Sequence, residues 1–60
     1  MKHENLISAL SCAQKATSFL VRALVCEERD DEVGLRLSHC NNALNFLQDS
    51  QAFLQRWINS

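Results

Sequence analysis

Sixty residues, 6.8 kDa, allow one domain at most, expected to span 1–60. A chain this short buries only about 60% of its unfolded surface, so a fold standing alone is marginal. At 47% hydrophobic it is too apolar for a disordered segment, and with no proline and one glycine, Gly34, it lacks the turn residues of an all-β sandwich or barrel. A net charge of −1 supplies no global field for nucleic acid or acidic lipid.

Met1-Lys2-His3-Glu4 leads into an apolar stretch that ends at Leu10, too short for a secretory leader. Ala9-Leu10-Ser11-Cys12 looks like a lipoprotein cleavage site, but Glu4 and Asn5 interrupt the approach to it. No run reaches the roughly 20 apolar residues that span a bilayer. Three cysteines, an odd number, fit a reducing compartment better than a disulfide framework. The expected location is the cytoplasm.

In the first half, Leu6, Leu10, Ala13, Thr17, Leu20 and Leu24 recur at steps of four and three, which is one heptad stripe. A second stripe lies beside it: Ala9, Cys12, Ala16, Phe19, Ala23 and Cys26. Glu4, Ser8, Ser11, Lys15, Ser18 and Arg22 form the polar remainder. The pattern predicts a helix over residues 3–27.

The wholly polar run Glu27-Glu28-Arg29-Asp30-Asp31-Glu32 divides the chain and predicts an acidic turn at 28–30. Asp30 or Asp31 is placed to cap a second helix, with Glu32 in its first turn, where negative charge suits the helix dipole. Since no glycine marks the turn, one continuous helix is a competing arrangement; it would leave two wide apolar stripes in water.

The second half repeats the design and predicts a helix over residues 31–58. Val33, Leu37, Cys40, Leu44, Leu47, Gln51, Leu54 and Ile58 make one stripe, and His39, Ala43, Phe46, Ser50, Phe53 and Trp57 the other. Asparagines, glutamines and Ser38 fill the outside with Asp49 and Arg56. Neither half alternates by two, as a strand would.

A hairpin needs only one stripe per helix, and here each helix carries two. The expected fold is therefore all-α, a two-helix antiparallel hairpin that dimerises into a four-helix bundle. The expected dimer interface is Ala9, Cys12, Ala16, Phe19, Ala23, Cys40, Ala43, Phe46 and Leu47. Ala9, Ala16 and Ala23, seven apart, would let two helices approach toward the ~8 Å end of normal spacing. Leu6, Ile7, Phe53, Leu54, Trp57 and Ile58 collect at the open end and make a second candidate surface, for a larger protein partner.

Residues that could carry chemistry are few. Cys12, Cys26 and Cys40 are fourteen apart, so Cys12 and Cys26 stand about 21 Å apart on one helix, too far to share a metal. His39 and Cys40 are adjacent and point about 100° apart, a poor chelate. Free cysteines on an apolar arc act as small hydrophobes. The carboxylates gather in a solvated turn, where nothing shifts them toward acid–base work, and no phosphate-binding glycine loop is present. The pattern argues against an enzyme, a cofactor or a metal.

Lys15, Arg22, Arg29 and Arg36 are also spaced by seven, a modest basic strip without the density or exposed aromatics of a nucleic-acid surface. In layout alone, with no shared motif, the chain resembles the plasmid copy-number regulator Rop, a small helical hairpin that dimerises and binds RNA; no residue role carries over. The expected function is a non-catalytic protein–protein interaction module, a small dimeric helical adaptor or regulator. Two alternatives are a co-chaperone covering an amphipathic helix of a larger secretion or assembly partner, and a Rop-like RNA-binding regulator, against which the sparse charge argues.

Overall fold

A computed structural model describes residues 2–60. Two α-helices, α1 (Lys2–Glu28) and α2 (Val33–Asn59), run antiparallel and pack along their whole length. Each has 27 residues, about 40 Å, in a body 44 × 13 × 10 Å in extent. The continuous-helix arrangement is therefore set aside.

A Schellman motif makes the turn. Asp30 takes φ 54°, the left-handed region, its N–H bonds the Glu27 carbonyl at 3.2 Å, and the Asp31 N–H reaches back to the Cys26 carbonyl at 2.9 Å. Aspartate is among the few non-glycine residues that visit this region routinely, which explains how the chain reverses without a glycine. This motif consumes Asp30 and Asp31, so neither caps α2 as expected. The N-cap is Glu32, with no side-chain capping bond, and its carbonyl accepts from both Leu35 and Arg36. For the same reason α2 begins at Val33, two residues later than its periodicity suggested. Arg36 reaches back across the turn to pair with the Glu27 carboxylate, tying the two helices at this end.

The seam between the helices is made of small residues. Ala9, Ala16, Cys26 and Ala43 are the buried apolar side chains, and buried Ser50 donates from Oγ to the Ala9 carbonyl at 2.9 Å. Further along, Phe19 stacks on Phe46 at 5.7 Å between centroids and tilts against His39 at 6.2 Å. Among the described residues no large side chain is fully buried. The stripe of alanines, cysteines and phenylalanines thus closes the hairpin, and its small members let the helices approach closely.

This reverses the sides assigned from the sequence. Ala9, Ala16 and Ala43 are 3%, 1% and 1% exposed within a single chain, so they face the chain's own other helix. Cys12, Phe19, Ala23, Cys40 and Phe46 are half-buried, and of the expected dimer set only Leu47 is exposed.

Candidate interaction surface

With the small stripe turned inward, the leucine stripes of both helices are left in water. On each helix they fall on the flank one step past the Ala9–Ala16–Ala23 or Ala43–Ser50 row. Antiparallel helices related by a twofold axis normal to the hairpin present the same flank on the same side. The two stripes therefore merge into one face. Leu6, Leu10, Leu20 and Leu24 contribute from α1 and Val33, Leu37, Leu44, Leu47, Leu54 and Ile58 from α2, with exposures from 37% at Leu6 to 64% at Ile58. At 44 Å long and two helices wide, about 20 Å, the face spans roughly 900 Å². Monomeric soluble proteins rarely show contiguous apolar patches beyond a few hundred Å². Its one hydroxyl near mid-length, on Thr17, is satisfied within α1 by the Ala13 carbonyl at 3.0 Å.

The other side of the hairpin is finished differently. Lys15 lies 5.5 Å from the Phe46 ring centroid, Arg22 lies 4.9 Å from that of Phe19, and Arg56 lies 5.1 Å from that of Phe53. Long cationic side chains cover these aromatic groups and keep their charged heads toward water. The basic strip read from the sequence is thus in part a lid over the seam's phenylalanines, with Arg36 engaged at the turn.

The open-end cluster is a continuation of the leucine face. Leu6, Leu54 and Ile58 belong to its stripes, Ile7 stands beside them, and Trp57 and half-buried Phe53 extend the inner seam to the end of α2. Ile7 and Trp57 are exposed at 60% and 40%.

All three cysteines are free. Cys26, beside the turn, is buried; burial pushes its thiol pKa up, and the Asp31 carboxylate raises it further by charge and hydrogen bonding. Among the described residues no three His, Cys, Asp or Glu side chains gather as a metal site, and no cavity is enclosed. Among the described residues no helix is long and apolar enough to cross a membrane. Comparison with known families, curated proteins and solved structures returns no match.

Proposed function

We propose that this chain is a non-catalytic helix–helix interaction module, working as a small dimeric adaptor or regulator whose binding surface is the leucine face. One observation carries the proposal: ten large aliphatic side chains, from both helices, lie on one side of a hairpin whose own seam buries only small ones. That face is too wide to be an accident of composition, and the cation-covered side shows how the same chain finishes a surface meant for water. Two such faces brought together form a four-helix bundle with the leucines as its core and the alanine seams within each half. The chemistry of the face is helix docking, and no step of bond making or breaking is assigned to any residue.

Sedimentation equilibrium tests it. The expected result is a dimer at micromolar concentration. A folded monomer persisting at hundreds of micromolar overturns the proposal. Because a dimer of this size gains much of its stability from association, its melting temperature should also rise with concentration.

A further inference from the structure

Resting on that reading, we propose that the leucine face is covered by a second copy of this chain lying with its turn at the opposite end. Area favours a second copy. The hairpin exposes 4517 Å², against about 3,950 Å² for a typical folded chain of its mass. A folded body of twice the mass exposes about 6,600 Å², so joining two hairpins would remove about 2,500 Å² in total. That lies within the range of obligate homodimers, and a face of roughly 900 Å² on each copy is of the size to supply much of it. The face also matches itself in length, since two copies laid along one another cover it from end to end.

Charge decides the direction. The face has no charged residue on its stripes between Leu6 and Leu24 or between Val33 and Ile58, so its body is indifferent to orientation. The ends differ. Residues 27–32 hold five acidic groups and Arg29, and Arg36 reaches back to pair with Glu27, a net −3, whereas the open end holds Lys2, Glu4 and Arg56, a net +1. Turns packed together would set one −3 end against another within a Debye length, about 8 Å. Turns at opposite ends set each acidic turn beside the partner's positive open end. Like charges in apposition disfavour the first arrangement, and complementary ends favour the second.

A spin label at Ser60→Cys, in a chain also carrying Cys12→Ala, Cys26→Ala and Cys40→Ala, leaves every charge in place and reports the distance between the two open ends by pulsed dipolar spectroscopy. The expected label-to-label distance is about 40 Å, the length of the helices. A distance below about 20 Å in a dimer overturns the orientation and leaves the interaction module standing. A folded chain that stays monomeric at hundreds of micromolar overturns both. The unaltered chain supplies a second measurement, free of the cysteine replacements. Zero-length carbodiimide coupling should join Lys2 to Glu28 or Asp31, residues whose backbones stand about 40 Å apart along one hairpin, so that the link forms between copies. A carbodiimide-treated dimer without such links overturns the orientation.

Discussion

Replacing Leu47 by glutamine separates a face that docks from a surface that is merely greasy. Leu47 is 44% exposed in the single hairpin, so a little under half of its side chain remains to be buried on association. Full burial of a leucine is worth about 1.5–3 kcal/mol, which leaves roughly 1 kcal/mol per chain at the dimer step. Glutamine adds the cost of placing an amide against apolar neighbours, about 1 kcal/mol or more. Two chains per dimer bring the loss to about 4 kcal/mol, a weakening of association by about a thousandfold. The control is Leu35→Gln, the same exchange at 47% exposure on the other flank, where the expected change is within about 0.5 kcal/mol. Sedimentation equilibrium, with circular dichroism to follow helicity, measures both. If the two variants weaken association equally, or neither does, the leucine face is not the docking surface.

Three further outcomes are expected. Asp30→Gly relieves a left-handed aspartate that costs about 1–2 kcal/mol and returns about 0.5–1 kcal/mol as chain entropy, so the melting temperature should rise by several degrees; a fall would mean that the Asp30 side chain itself holds the turn. Ala43→Leu overpacks the seam, with an expected loss of about 1–3 kcal/mol in urea unfolding, and an unchanged midpoint would show that the helices are not in close contact there. Cys26 should be the last of the three thiols to react with iodoacetamide. Its folded-state pKa is raised, so its contribution to stability is complete below the ordinary thiol range and declines as pH climbs through and beyond it. Cys26→Ala should flatten that alkaline decline, and an identical decline in the variant would place its origin elsewhere.

Much of this architecture is legible in the sequence. Heptad steps give two helices within one residue of their observed ends, apart from the start of α2, which comes two residues later, and a polar run marks the reversal between them. The choice of inner stripe is harder to read, because two adjacent stripes on each helix both satisfy the heptad rule. A pair of helices closes on the stripe that permits the nearest approach, and small residues occur on both partners: Ala9 and Ala16 on one side, Ala43 and Ser50 on the other. The signal was present in a second form. Lys15, Arg22 and Arg56 all flank the phenylalanine stripe and none flanks the leucines, as expected if the phenylalanines lie at a water-facing margin. The capping roles of Asp30 and Asp31 could not be read, because three successive acidic residues can each serve as a cap. Which of them takes left-handed backbone is fixed only when the helices dock. The Arg36–Glu27 pair, nine residues apart across the reversal, likewise becomes visible only once the chain has folded back on itself.

The antiparallel course of α1 and α2 also sets how the hairpin responds to mechanical load. Residues 2 and 59 lie side by side at the end opposite the turn. Tension applied between them therefore pulls across the seam and peels it open, instead of shearing it along its length. The open end of the seam takes the load first, then the Ser50–Ala9 bond, then the stacked phenylalanines, while the Schellman turn and the Arg36–Glu27 pair hold until last. Each rung is met alone, so opening proceeds at low force although the seam runs the full length of both helices. Tension between residue 2 and the turn of the same chain would instead run along the axis of α1, parallel to its backbone hydrogen bonds, and would leave the seam unpeeled.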